Sequence, residues 1–285
     1  MSMTSIAHTT IALLLGWAGV GAAVNTHATP LAPEQVIRVC GQVAEWPPYL
    51  YFRRDQGGPT DDVIGYSAEM LQLSLERKGL RYTLDMLPWR RCTESVRLGM
   101  HDMMTDLAND PYRAKTYLVS KPYYTQHLVY FFDMSRPRPA IDTAADLKKL
   151  RLCAVNGYTY AAFGLNPAQI DTGSQDLMQS LLKLKNNRCD AVPERLEIAL
   201  GYQALGKIDF KVLGISYGAL PDLQPSPFHM MVSRNVPYAA ELLEVLDDGI
   251  ESLGRGGDAR RLAAKYGITD PGLGRPPRRA STPVR

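Results

Sequence analysis

Apolar positions along this chain switch repeatedly between strand-like and helix-like spacing, which predicts a layered α/β architecture. Val36 to Val43 is rich in β-formers and runs into the turn Trp46-Pro47-Pro48-Tyr49, so it reads as a first strand. Gly65 opens a helix whose apolar face is Met70, Leu71, Leu73, Leu75 and Leu80, with Gly79 as its stop. Leu80 to Leu87 predicts a second strand. Pro88 begins the next helix in its first turn, where a missing N–H costs nothing, and that helix ends near Gly99. Met100 to Thr105 follows as a third strand. The order βαβαβ favours a parallel sheet flanked by helices.

The same grammar restarts at Leu150. Leu150 to Val155 is a strand, Asn156-Gly157 a turn, Tyr158 to Phe163 a short helix and Gln169 to Thr172 a strand. Ser174 is expected to cap a helix through Lys185, Cys189 to Val192 to form a strand, and Pro193 to start another helix. The extended stretch Gln126 to Asp133 and the loop Ser135-Arg136-Pro137-Arg138-Pro139 join the two units, and a second extended segment, Pro227 to Ser233, comes later. Two helices, Val236 to Leu253 and Asp258 to Tyr266, close the chain. The second unit offers them no sheet, so they are expected to return to the first. The boundaries this sets are lobe one at 36–130 with 233–268 returning to it, and lobe two at 131–232. Two chain crossings between lobes make a hinge.

The ends of the chain read differently. Residues 1–28 hold no Lys, Arg, Asp or Glu, and Ile11 to Val24 is apolar but short for a permanent span. Small residues follow, so the segment reads as a secretion signal cut after Ala28 or after Ala23; it lacks a positive n-region, and an uncleaved anchor is the alternative. No later apolar run reaches membrane length, which predicts a soluble, periplasmic mature protein. At the other end, residues 271–285 are rich in Pro, Gly and Arg and are expected to be a disordered basic tail. That tail matters for the charge. The formal net charge is +3, but Arg275, Arg278, Arg279 and Arg285 lie in it, and without them the body carries −1. A nucleic-acid partner is therefore not expected.

The rest of the composition, 45% hydrophobic and 21% charged, is that of a globular protein. Cys40, Cys92, Cys153 and Cys189 make an even set, suited to an oxidising compartment. None lies in a CxxC pair and no His sits at ligand spacing, so no metal site is expected. Four cysteines allow three connectivities and sequence alone selects none; chain order favours Cys40 with Cys92 and Cys153 with Cys189 if there are two folding units.

Gly65-Tyr66-Ser67-Ala68-Glu69-Met70, Leu87-Pro88-Trp89-Arg90-Arg91, Gly99 to Asp102, Asp110-Pro111-Tyr112-Arg113 and Ser120-Lys121-Pro122-Tyr123-Tyr124 occur in that order. Over Ile37 to Ile268 the chain resembles the periplasmic solute-binding proteins of the polar amino-acid type, family 3. The resemblance implies a two-lobed type II fold closing on a small ligand, without a cofactor, and delivery to the permease of an ATP-binding-cassette importer by a monomer. It also implies a role for Arg113, which matches the position that grips a ligand α-carboxylate. A guanidinium suits that task because its planar fork donates two parallel hydrogen bonds and stays charged.

Further positions follow from the same match. Asp106 and Ala108 fall where the family offers backbone and hydroxyl groups; alanine at the hydroxyl position is a departure. Asn156-Gly157-Tyr158-Thr159 occupies the place of a Gly-Thr/Ser loop. Gly157 there is either part of an anion-binding helix N-terminus or a turn glycine, with Thr159 a side-chain donor. Glu194 falls near the acid that pairs a ligand ammonium; its other reading is a solvent-facing Glu at a helix start. Among the aromatics, Tyr49 and Tyr66 are candidates for pocket walls at strand ends, and Trp89 is assigned to the core.

No Ser-His-Asp or metal motif is present, and His101, His127 and His229 are scattered without evident partners. The expected function is thus noncatalytic binding. Two alternatives stand beside it: a cyclohexadienyl dehydratase-like enzyme on the same scaffold, with Glu194 as general acid or base, and a sensory or accessory binding module.

Overall fold

The computed structural model describes residues 31–272 except Pro33 and Asp270. The expected signal segment and nearly all of the basic tail lie outside them. Among the described residues the first half of the chain holds β1 (Val36–Gln42), β2 (Tyr51–Asp55), β3 (Gly58–Ile64), α1 (Tyr66–Glu76), β4 (Arg81–Leu87), α2 (Trp89–Arg97), β5 (Met103–Ala108), α3 (Pro111–Thr116), β6 (Tyr117–Val119), β7 (Tyr124–Gln126) and β8 (Leu128–Asp133). Then come β9 (Cys153–Val155), β10 (Asp171–Ser174), α4 (Leu177–Lys185), β11 (Val192–Arg195), α5 (Leu196–Ala204), α6 (Phe210–Leu213), β12 (Ile215–Ala219), β13 (Ser226–Ser233), α7 (Ala239–Gly256) and α8 (Asp258–Lys265).

Each lobe is built on one main sheet, and β2 and β3 form a separate two-stranded hairpin. In the first, the order is β4-β1-β5-β13-β6, with β7 also on β13. Strand β1 runs parallel to β4 and β5, whereas β13 is antiparallel to β5, β6 and β7. In the second, β8 lies between β11 and β12, both antiparallel to it. Parallel strands β9 and β10 join this sheet through a bridge between Leu152 and Ala191. The chain crosses at His127, between β7 of one sheet and β8 of the other, and returns between Ala219 and Ser226. Hydrogen-bond partners therefore put Leu128–Tyr130 with lobe two and all of β13 with lobe one, on the other side of the expected boundaries at 131 and 232.

The closing helices pack on lobe one. A Cβ at Gly249 of α7 would stand 2.4 Å from the Cβ of Ser74 on α1, so that crossing needs a residue without a side chain. Lys265 and Tyr266 both reach Glu69 of α1, the lysine at 2.5 Å. A disulfide between Cys40 and Cys92 ties β1 to α2, and one between Cys153 and Cys189 ties β9 to the approach to β11. Each lies within a lobe and stabilises it by restricting the unfolded chain, typically by about 2–4 kcal/mol.

Local chemistry moved several elements from where they were expected. Strand β5 is Met103–Ala108, three residues later than read, because Asp102 is used before it to accept Arg38 N at 2.7 Å and Arg38 Nη2 at 2.5 Å. Asp176, not Ser174, caps α4, its carboxylate accepting Gln179 N at 2.8 Å. Pro193 does not start a helix: it pairs with Tyr130 inside β11, and the helix begins at Leu196. Having no N–H, Pro193 stands just past the Leu152–Ala191 bridge, where pairing towards β9 ends. The three histidines also have partners: His101 bonds Ser95 and Asp85, His127 bonds Glu197 at 2.6 Å, and His229 bonds the Ser120 carbonyl at 2.7 Å.

Candidate functional site

Asp110 begins the site. Its carboxylate caps α3 by accepting Arg113 N at 2.8 Å, and Pro111 fills the first helical position. This holds Arg113 one turn into the helix with its side chain turned inward and the residue only 8% exposed. Arg113 Nη1 donates to the Ala108 carbonyl at 2.7 Å, Nη2 to the Gly157 carbonyl at 3.4 Å, and Nε lies 3.8 Å from Asp110. Its guanidinium sits 5.9 Å from the centre of the Trp89 ring. Burial pushes its pKa down to about 10, with Asp110 opposing the shift and Arg195 adding to it, so the group is charged at neutral pH.

Arg195 approaches from the second lobe as the last residue of β11, and it is 1% exposed. Nη2 donates to the Thr159 carbonyl at 2.9 Å, Nη1 lies 3.4 Å from Glu194 Oε1, and Nε is buried with no hydrogen-bond partner. Aromatic rings of Phe163, Phe228 and Tyr160 surround its head at 5.5, 5.8 and 5.9 Å.

Asp106 has φ 68° in β5, where a left-handed backbone re-aims the strand. Its Oδ1 accepts from Ser67 Oγ, Tyr124 OH at 2.8 Å and Tyr123 OH at 3.0 Å, and its Oδ2 accepts Thr105 Oγ1 at 2.6 Å. Complete burial pushes this carboxyl's pKa up, and the hydroxyl donors pull it back only in part.

These groups share one cleft between the lobes. Lobe one supplies Gln42, Trp46, Leu50, Trp89, Thr105, Asp106, Ala108, Arg113 and Phe228; lobe two supplies Tyr158, Thr159 and Arg195. The free space enclosed is about 30 Å³. The lobes are closed upon it. Trp89 Nε1 donates to the Gly157 carbonyl at 3.1 Å, and Tyr158 OH to Gln42 Oε1 at 2.9 Å. Tyr202 OH donates to the carbonyls of Ala44 and Glu45 at 2.9 and 2.8 Å, and Lys207 pairs with Glu45.

Of the expected ligand residues, Arg113, Asp106, Ala108 and Thr159 line this cleft. Gly157 stands at its rim, contributing a carbonyl to Trp89 and Arg113; the segment after it is not an α-helix start, since only a three-residue 3-10 turn, Ala161–Phe163, follows. Tyr49 and Tyr66 are packed in the core, not on the cleft. Tyr49 stacks on Tyr124 at 3.9 Å, and Tyr66 OH donates to the Tyr123 carbonyl at 2.9 Å. Glu194 is neither solvent-facing nor part of the cleft lining: it is 1% exposed, and its Oε1 accepts Arg195 N at 2.8 Å. Trp89, assigned to the core, lines the cleft. Arg195 was missed altogether. Its one sequence signal was adjacency to Glu194 in what reads as a helix start and is a strand end.

Two α/β lobes, two chain crossings and a buried polar cleft between them define a two-lobed binding-protein fold. The chain belongs to the bacterial extracellular solute-binding proteins, family 3, whose sequence profile matches residues 38–269. Among solved structures it is similar to the arginine-, lysine-, histidine-binding protein ArtJ from Geobacillus stearothermophilus, at 20% identity over 84% of this chain and 98% of that one, TM-score 0.67. A histidine kinase sensor domain with similarity to periplasmic binding proteins matches at 17% identity over 82% and 96%, TM-score 0.67. The ancestral amino acid-binding protein AncCDT-1, a precursor of cyclohexadienyl dehydratase, matches at 17% over 81% and 95%, TM-score 0.62. At such identities the likeness is one of fold. No curated protein sequence matches the chain. Among the described residues no helix is long and apolar enough to cross a membrane.

Proposed function

We propose that this chain is a periplasmic binding protein that, as a monomer, captures an amino acid or related small polar solute bearing a carboxylate. It delivers that solute to the permease of an ATP-binding-cassette importer. The observation that carries the reading is Arg113, whose buried guanidinium lines a cleft that both lobes close. Ligand binding to such a cleft shifts the balance between open and closed forms. The cleft performs no chemistry in this reading. Its one lining carboxyl, Asp106, is engaged by four hydroxyl groups and cannot readily exchange a proton with a ligand.

The test is a thermal-shift screen of the mature chain against amino acids, polyamines and organic acids, followed by stimulation of permease ATPase activity in proteoliposomes. A ligand at a hundred times its dissociation constant stabilises by about 2.7 kcal/mol, which is readily seen. No ligand in the panel raising the melting temperature would sink the binding reading. Binding without ATPase stimulation would sink the delivery step alone. Prephenate should emerge unchanged from incubation with the protein, and its dehydration at a catalytic rate would replace binding with catalysis.

A further inference from the structure

An amino-acid site needs an acceptor for the ligand's ammonium, and none of the acids near this cleft is free to be one. Asp106 has both oxygens occupied by hydroxyl donors. Asp110 caps α3 and lies 3.8 Å from Arg113 Nε. Glu194, where the sequence placed an ammonium partner, accepts Arg195 N and is not among the lining residues.

What lines the cleft at this point is Arg195. Its side chain is almost wholly buried, and its Nε–H has no hydrogen-bond partner. A buried, unpaired donor on a charged group is costly unless something satisfies it. Arg113 and Arg195 line the same cleft from opposite lobes; burial is the main cause of the lowered Arg113 pKa, and the like charge of Arg195 adds to it. Glu194 and Asp110 each pair with one of the two guanidinium groups, at 3.4 and 3.8 Å, so a ligand ammonium would meet guanidinium groups and no free carboxylate. A ligand with two anionic ends offers each guanidinium a carboxylate to donate to.

We infer that the ligand is a small dicarboxylate without an ammonium group, one carboxylate held by Arg113 from lobe one and the other by Arg195 from lobe two. The inference rests on the cleft being the binding site, as proposed above. Trp46, Leu50, Trp89 and Phe228 supply apolar walls for the methylene spacer, and the tight enclosure selects a short one. Because the two guanidinium groups belong to different lobes, only a ligand with both ends charged ties the lobes together.

Calorimetric titration of the mature chain with succinate, glutarate, aspartate, glutamate, arginine and butyrate tests this. Succinate or glutarate should bind, with aspartate, glutamate, arginine and butyrate each at least tenfold weaker. Arg195→Gln should weaken diacid binding at least tenfold and butyrate binding less than threefold; a merely structural role would weaken both alike. Arg195→Lys, which keeps the charge but not the fork, should fall between, and it serves if the glutamine variant fails the circular-dichroism check for folding. An amino acid binding as tightly as the amine-free diacids, or butyrate binding as tightly as succinate and glutarate, overturns the inference and leaves the binding reading standing. If nothing in the panel binds, the inference falls, and a blank wider screen removes the binding reading as well.

Discussion

Trp89 and Gly157, one in each lobe, are joined by a hydrogen bond from the indole Nε1 to the glycine carbonyl at 3.1 Å. The same carbonyl receives Arg113 Nη2 at 3.4 Å. A single loop oxygen is thus shared by the closing contact and by the arginine that lines the cleft. The loop approaches this closely because Gly157 has φ 78° and no side chain; a Cβ there would stand 3.2 Å from Trp89 Cδ1.

Trp89→Phe keeps a ring and removes the donor. A hydrogen bond of this kind contributes about 0.5–1.5 kcal/mol, so ligand affinity should fall by roughly two- to tenfold. The melting temperature of the ligand-free protein should change little. Calorimetry beside a thermal melt separates the two, and a lowered melting temperature with affinity intact would place Trp89 in the stability of lobe one instead.

Arg113→Ala should remove carboxylate binding while leaving both lobes folded. Truncating a charged partner in a closed cleft costs about 2–5 kcal/mol, roughly thirtyfold or more in affinity. Arg113→Lys should restore part of that. Unchanged calorimetric affinity in the alanine variant would take Arg113 out of the site.

Gly201→Ala should hold the lobes apart. A Cβ at Gly201, on α5 of lobe two, would stand 2.4 Å from the Pro47 carbonyl oxygen of lobe one, and a backbone atom cannot step aside as a side-chain tip can. The expected outcome is a larger radius of gyration in small-angle scattering and about tenfold weaker binding, with secondary structure unchanged. A radius equal to the wild type's would show that the closed form absorbs the methyl group.

Acid should loosen closure through Glu45. Burial alone would raise its pKa, but hydrogen bonds from Arg54, Lys207 and Phe52 N outweigh that and hold it below the ordinary carboxylate value. A carboxyl whose folded pKa is depressed contributes stability that is fully present above the unfolded value, about 4.3, and is lost as pH falls through the folded one. Lys207 belongs to lobe two, so part of this contribution is specific to the closed form. Scattering radius should grow as pH drops below about 4, and Lys207→Met should flatten that dependence. Identical acid profiles for the two proteins would assign the contribution to the Arg54 pair within lobe one.

What the sequence made legible is mostly periodic. The apolar face of α1 and the turn and cap glycines were readable because a helix face is set locally. The hairpin β2–β3 was not read, since Arg53, Arg54, Asp55, Asp61 and Asp62 give it a polar, exposed pattern that resembles a loop. In the site, Arg113 was legible through the motif Asp110-Pro111-Tyr112-Arg113 and the family resemblance it carries. The sequence points to Glu194 where Arg195 lines the cleft, because neighbouring strand residues point to opposite faces and a helix reading of Pro193 hides that alternation. Tyr49 and Trp89 were exchanged between wall and core for a similar reason. Both are large aromatics near strand ends, and only the tertiary approach of lobe two decides which of them meets the cleft.

The position of β13 sets the order in which the molecule can be completed. Ser226–Ser233 lies between β5 and β6 in the first sheet, yet it is made only after every strand of the second. Emerging N-terminus first, lobe two is a continuous piece with its own disulfide and can finish as soon as it appears. Lobe one must wait with one edge of β5 unpaired until the chain returns, followed by the two helices that cover it. The lobe that is synthesised first is the one that matures last.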